Sequence, residues 1–347
     1  LSGALLARAT AAAHVPPRLL PRRIAAGFFA AAAPDLDFVT AYLGPVGYLE
    51  HHRGVTHSIL LLPLWALAVA WLLAKILRAP DVKGGKAGWR ALYGITALGL
   101  AAHIAGDLIT SFGTMVFAPV SNWRAALGTT FIIDLWFSGI ILAGLLVSIV
   151  FRRSRLPALA ASVVLVGYVG FQYLQKQKAL EFGSAYAASH GLPQAKITAH
   201  PRPVSPFNWT VFASTQREHR FAHVNLVRRE PRAYQPGDGF FAKVDSPYLP
   251  LDQAVWVVKT RYGHPPLDAL GTEAWQAPGL EVFRWFADLP ALDGVTDGTA
   301  CFWFSDLRFL TPGRDVLPFR FGACREGPGA PWRAFQRLGE TGRLPLD

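Results

Sequence analysis

Four stretches in the first half of this 347-residue chain stay apolar for about the depth of a bilayer: residues 59–77, 91–109, 131–151 and 156–174. A helix needs roughly 20 such residues to cross about 30 Å of hydrocarbon. In that medium every backbone N–H and C=O must be paired within the segment, which leaves the helix as the form each stretch can take. Two shorter apolar runs, 1–13 and 24–33, come first, separated by prolines and by Arg18, Arg22 and Arg23. Ten helical residues rise only about 15 Å and cannot cross. The predicted fold is thus an α-helical membrane protein: a four-span helical bundle with an N-terminal helical hairpin packed against it.

Charge orients the bundle. Up to residue 179 there are 16 Lys+Arg and 6 Asp+Glu, leaving 18 and 17 for the remainder. The basic excess sits in loops: Arg78, Lys83, Lys86 and Arg90 between the first two spans, Arg152, Arg153 and Arg155 between the last two, and only Arg124 between the middle pair. Positive loops stay in the cytoplasm. This places the start of the first span, the end of the second and the start of the third on the outer face of an inner membrane. Without an aromatic-basic groove, the excess does not read as a nucleic-acid surface. The sequence starts at Leu1 with no Met, so the natural start is expected upstream, and the first span is expected to do the targeting.

After residue 178 the character changes. Prolines 201, 203 and 206 break the chain, and short aromatic and β-branched runs follow at 209–213, 221–227, 254–260, 280–286, 300–304 and 317–321. This pattern predicts a small β-rich domain, extracytoplasmic by the span count. The division expected is 1–178, a membrane-embedded metal-binding helical domain, and 179–347, a β-rich soluble domain. Cys301 and Cys324 are the only cysteines. They exclude thiolate zinc by their spacing, and stand either as two buried thiols or as one disulfide of an exported domain.

The six acids of the first half are Asp35, Asp37, Glu50, Asp81, Asp107 and Asp134. An ionisable group in or beside a span costs several kcal/mol unless it has a partner or a function. His103 and Asp107 are four apart on one helical face, so they can share a cation or simply bond across packed helices. In His52-Arg53-Gly54-Val55-Thr56-His57-Ser58 the glycine permits a turn, and both histidines can ligate. Arg53 there is either a bidentate clamp for an anion or an interfacial arginine among headgroups. Asp35 and Asp37 follow Pro34; one is expected to ligate and the other to orient a histidine, unless both merely cap a helix. Asp134 is either a ligand or an acid at a helix N-terminus.

The proposed metal set is Asp35, Asp37, His52, His57, His103, Asp107 and Asp134, with Arg53 and Asp37 in catalytic roles. Mixed oxygen and imidazole donors favour zinc, then manganese or iron, over calcium. Such an ion lowers the pKa of bound water, so hydrolysis is the economical reading. The rivals are an ion or proton transporter and a scaffold with a structural metal. A site at the membrane surface carrying an arginine suggests a phospholipid or lipid-linked phosphoester as substrate.

Taken together, Pro34-Asp35-Leu36-Asp37, the His52 to Ser58 motif, His103-x-x-x-Asp107, Ala118-Pro119-Val120-Ser121 and Phe131-Ile132-Ile133-Asp134 resemble the YdjM-type family of membrane-bound, metal-dependent hydrolases. The resemblance covers roughly 1–151. It implies distant similarity to zinc-dependent phospholipase C, and hence phosphoester hydrolysis by metals held on His and Asp. Family members open with a Thr-His pair just ahead of the segment that stands here as Leu1-Ser2-Gly3-Ala4, so a further ligand histidine is expected upstream of Leu1.

Overall fold

The computed structural model describes residues 1–11, 19–77, 88–298, 300–314 and 317–346. Arg78, Lys83 and Lys86, which entered the sidedness reading, lie outside the described residues, as does Arg18. The chain forms two compact units: Leu1–Thr40 with His51–Tyr173, and Ala41–Glu50 with Leu174–Asp347.

The first unit is helical. Helices α1 (Ser2–Ala9) and α2 (Leu20–Ala32) form the expected hairpin, followed by a 3-10 stretch, Pro34–Leu43, that leads into α3 (Gly44–His51), whose residues up to Glu50 belong to the second unit. Then come α4 (Leu62–Ile76), α5 (Trp89–Leu108), α6 (Leu135–Val150) and α7 (Leu156–Ser189). Small residues decide how closely the hairpin docks. A Cβ on Gly27 would strike the Gly3 backbone oxygen and lie 2.8 Å from the Ala7 Cβ, and one on Gly99 of α5 would lie 2.9 Å from the Gly27 oxygen. Three backbones therefore meet where no side chain fits, the packing that apolar solvent favours. Ala7, Ala26, Ala70, Leu73, Leu92 and Ile95 fill the space between α1, α2, α4 and α5. Leu5, Ala9, Ile141, Ala158 and Ala161 join α1 to α6 and α7. Buried Arg8 donates to the carbonyls of Phe151, Arg152 and Ser154, tying α1 to the connection between α6 and α7. Gly27→Leu is expected to cost at least the roughly 1–3 kcal/mol of an overpacked core. The yield of monodisperse protein in detergent should drop, and an unchanged yield and melting point would refute this packing.

Three helical segments among the described residues are long and apolar enough to cross a membrane: Leu20–His51, Trp89–Leu108 and Leu156–Ser189. Helices α4 and α6, at 15 and 16 residues, are shorter than the spans read from hydropathy. The missing residues were diverted into turns that serve polar groups. Ser58 Oγ accepts from the amides of Leu60 and Leu61 ahead of α4, and Asp134 caps α6. Conversely, the hairpin's second arm continues as helix past Ala33 through the tighter turns around Asp35 and Asp37, so it is longer than ten residues. Outward faces carry Leu64, Leu67, Trp71, Leu142, Leu146, Ile149, Val163 and Val166 exposed. Apolar surface on this scale suits lipid and not water.

The second unit is built on the end of α7 and two antiparallel sheets. Strands β1 (Lys196–Pro201), β2 (Asn208–Ser214), β3 (Glu218–Asn225) and β4 (Val257–Thr260) lie in sequence order, with α8 (Phe240–Asp245) between the last two. Helices α9 (Asp268–Trp275) and α10 (Glu281–Phe286) precede the second sheet, again in sequence order: β5 (Pro290–Thr296), β6 (Cys301–Asp306), β7 (Phe321–Cys324), β8 (Arg333–Leu338) and β9 (Gly342–Pro345). Trp209, Val211 and Val224 pack with Ala179 of α7, while Phe212 and Phe221, pointing the other way, pack with Leu289, Ala291 and Leu307. Run 280–286, expected as a strand, is helical. Leu280, Phe283 and Phe286, all buried, recur every three residues and need a helix to reach one core. Run 254–260 forms strand only from Val257, and run 317–321 only at Phe321. Cys301 and Cys324 face each other across β6 and β7 as a disulfide.

Three histidines in this unit are held neutral. Burial pushes His200 well below its ordinary value, with Arg202 adding to the effect; burial also lowers His219, and lowers His223 to about 3 with help from Arg202. The unfolded chain takes up these protons near pH 6.5. Stability is thus complete above that pH and falls as the pH drops from there toward 3. The β-unit's melting temperature, followed by circular dichroism of the whole chain, should decline across that window. A flat profile between pH 7 and 4 would contradict it.

Candidate metal centre

The His52 to Ser58 motif forms a tight turn because of two residues. Arg53 has a left-handed backbone (φ 58), and a Cβ on Gly54 would lie 2.7 Å from the His51 oxygen. The turn is tied to the loop that follows α5: Met115 N donates to Arg53 O, Ile59 N to Val116 O, and Ser58 Oγ to Ala118 O. This connection brings the His52–Ser58 turn to the end of α5, where His103 and Asp107 project one helical turn apart.

Four side chains converge there. Atoms from Asp35, His57, His103 and Asp107 all lie within 4.8 Å of one another. His57 Nε2 is 3.1 Å from His103 Nε2 and 3.0 Å from Asp107 Oδ2. His103 Nε2 is 3.2 Å from Asp107 Oδ2 and 3.4 Å from Asp35 Oδ1, and His57 Nε2 is 3.9 Å from Asp35 Oδ1. Donors held about 2.0–2.1 Å from a tetrahedral zinc stand about 3.3 Å apart, which these spacings bracket. Asp107 Oδ2 is buried and takes no well-aligned hydrogen bond even though two imidazole nitrogens crowd it. Atoms pressed together in this way fit a shared cation better than bonds to each other. The field at His57 agrees. Burial alone would lower its pKa, but Asp107 and Asp37 outweigh burial and raise it, so the pocket favours positive charge.

Asp35 and Asp37 divide the work. Their 3-10 turn sends the first to the Nε2 side of His57, while Asp37 Oδ2 lies 3.3 Å from the Nδ1 of the same ring. Buried Asp37 also accepts from Arg53 N (2.9 Å), Thr56 Oγ1 (3.0 Å) and His52 Nδ1 (2.8 Å). A carboxylate on Nδ1 fixes the tautomer that leaves the Nε2 lone pair free to ligate. His52 itself lies outside the group of four, held on Asp37. Arg53 is only 5 % exposed, which sets aside a place among headgroups. Its Nη2 lies 3.0 Å from Asp107 Oδ1, its Nη1 donates to Thr110 Oγ1, and the guanidinium sits over the Phe112 ring. It therefore orients Asp107, with both terminal nitrogens engaged. Asp134 is elsewhere: Oδ1 accepts from Phe137 N, capping α6, and Oδ2 accepts from Tyr168 OH. Of its two readings, the helix N-terminal one describes its contacts.

Thr110 and Phe112 were not singled out from sequence. Thr110, three residues past Asp107 on the same face, carried a signal in its spacing; Phe112, a lone aromatic after the helix, carried none.

The chain is 26% identical over 136 residues to the uncharacterized protein YfhP of Bacillus subtilis (strain 168), a match spanning 39% of this chain and 39% of that one. No solved structure matches. The model of the YdjM inner membrane protein family matches residues 1–179, a stretch holding every residue of the converging group. The chain thus belongs to the YdjM inner membrane protein family.

Proposed function

We propose that this chain is a membrane-bound, metal-dependent hydrolase acting on a phosphoester of a phospholipid or lipid-linked phosphate. The observation that carries the reading is the convergence of Asp35, His57, His103 and Asp107 on one point. A divalent ion there, zinc first and manganese or iron next, would supply a Lewis acid and an activated water. Around it, Asp37 orients His57 and Arg53 orients Asp107. A structural site is closed, whereas a catalytic one keeps a free position. Asp35, with its side chain 61% exposed, leaves one side of this group open and favours turnover over a scaffold role. Leu36, Phe38 and Val39 stand exposed beside it, an apolar rim suited to a substrate that stays in the bilayer.

The same reading takes α4 and α6, with their flanking turns, as spans alongside α5 and α7, and puts the second unit and the metal site on the extracytoplasmic side. The disulfide supports this, since such bonds persist in oxidising compartments. Purified, metal-loaded protein in nanodiscs should hydrolyse at least one of a panel of fluorogenic phospholipids and soluble phosphodiesters, and lose that activity with chelator. Fully metallated protein inert across the panel would sink the hydrolase reading. For the orientation, an introduced cysteine at Glu340 should react with an impermeant maleimide in intact cells; reaction only after lysis would reverse the sidedness.

A further inference from the structure

Residues 229–241 run exposed without interruption, in the long connection between β3 and β4. Their apolar members are large. Phe240 is 70 % exposed, Phe241 58 % and Tyr234 46 %, with Val227 at 55 % just before the run. Phe240 and Phe241 meet edge to face at the first turn of α8, so they protrude as one wedge. Solvated loops seldom carry adjacent exposed phenylalanines, and an apolar wedge of this kind marks a surface that meets something.

Charge indicates what it meets. Between 227 and 243 stand Arg228, Arg229, Arg232 and Lys243 against Glu230 and Asp238. Arg228 and Arg232 pair with buried Asp245, which anchors the base of the loop, while Arg229, at the start of the exposed run, and Lys243, just past the phenylalanines, are exposed. Asp238, exposed like the rest of the run, accepts from Gln235 N of its own loop. Aromatic wedges flanked by Lys and Arg are the composition of interfacial membrane anchors: the rings enter the acyl boundary and the cations stay with the phosphates.

A bilayer is always at hand. Helix α7 has 34 residues, about 51 Å of rise against about 30 Å of hydrocarbon. Its end is part of the β-unit, with Ala179, Leu180 and Phe182 packed against Trp209 and Val211. Only six residues separate Ser189 from β1 at Lys196, so this unit is joined in the chain directly to a helix long and apolar enough to cross a membrane.

We propose that the 227–243 loop is a membrane-insertion loop, with Phe240 and Phe241 entering the interface of an anionic bilayer and Arg229 and Lys243 contacting lipid phosphates. This does not depend on the metal centre or on hydrolysis. Both native cysteines are in the disulfide, so one introduced cysteine can be labelled selectively. The full chain carrying Phe241→Cys, labelled with an environment-sensitive fluorophore and placed in phosphatidylglycerol-containing nanodiscs, is the test, with Glu340→Cys as the exposed reference. The expected result is a blue-shifted emission at 241 that lipid-borne quenchers reduce and iodide does not, weakened in purely phosphatidylcholine discs and by Arg229→Glu with Lys243→Glu. Water-like emission quenched by iodide would overturn the proposal. So would a blue shift that lipid-borne quenchers leave untouched, since the wedge would then be buried against protein.

Discussion

Alanine at His103 or Asp107 should empty the metal centre. Each would remove one of four donors, and in the Asp107 variant Arg53 would also lose its buried counter-charge. Breaking a buried ion pair from one side costs about 3–5 kcal/mol, so Asp107→Ala should also lower the melting point, whereas His103→Ala should lose metal with less damage. Replacing groups that hold a ligand from behind is milder. Asp37→Ala should weaken metal affinity about 10–100-fold, because the Nδ1 side of His57 loses its carboxylate and keeps only the Thr56 hydroxyl at 2.9 Å. Asp134→Ala should leave metal content unchanged and cost about 1 kcal/mol as a lost helix cap. Acid should strip the metal, since the raised affinity of His57 for a proton makes protons competitors for the same nitrogen as pH falls. Mass spectrometric metal analysis of the purified variants separates these ranks. Equal metal content in wild type, H103A and D107A would remove the basis for the site, and loss of metal in D134A would show that the ligand sphere has been drawn wrongly.

Opening the disulfide should destabilise the second unit. Cys301 and Cys324 are 23 residues apart, and closing a loop of that length stabilises by about 3 kcal/mol in the chain-entropy account. Both sulfurs lie where β6 meets β7, and the strand register itself sets Cys301 opposite Cys324. The double variant Cys301→Ser with Cys324→Ser, or wild type kept in dithiothreitol, should therefore melt at lower temperature in its β signal, while the helical signal of the first unit persists. Unchanged β-sheet melting under reduction would show that the bond adds nothing beyond the packing of Trp303 and Phe335 around it.

Helical spans, a β-rich second half and most of the residues that matter were legible in the order of amino acids alone. Apolar runs of bilayer length read as helices because lipid allows the backbone few other solutions, and α5 and α7 lie where those runs do. The rare acids and histidines of the first half were legible because burying an unpartnered charge is costly: Asp35, His57, His103 and Asp107 were all marked from the sequence and converge in space. Their division of labour was not legible. His52 and His57 look alike within one motif, and only the turn at Arg53 and Gly54 decides that His57 faces His103 while His52 is held on Asp37. Arg53 kept two readings, clamp or headgroup contact, until its side chain was placed against Asp107 and Phe112. Helix limits were equally a matter of tertiary structure. Hydropathy registers that residues 59–61 and 131–134 are largely apolar, but it does not register that Ser58 and Asp134 draw the backbone there into capped turns. Composition and period report what a residue must avoid, which is a property of the residue and its solvent; which partner it finds depends on atoms brought together from distant parts of the chain, and only the folded arrangement supplies those.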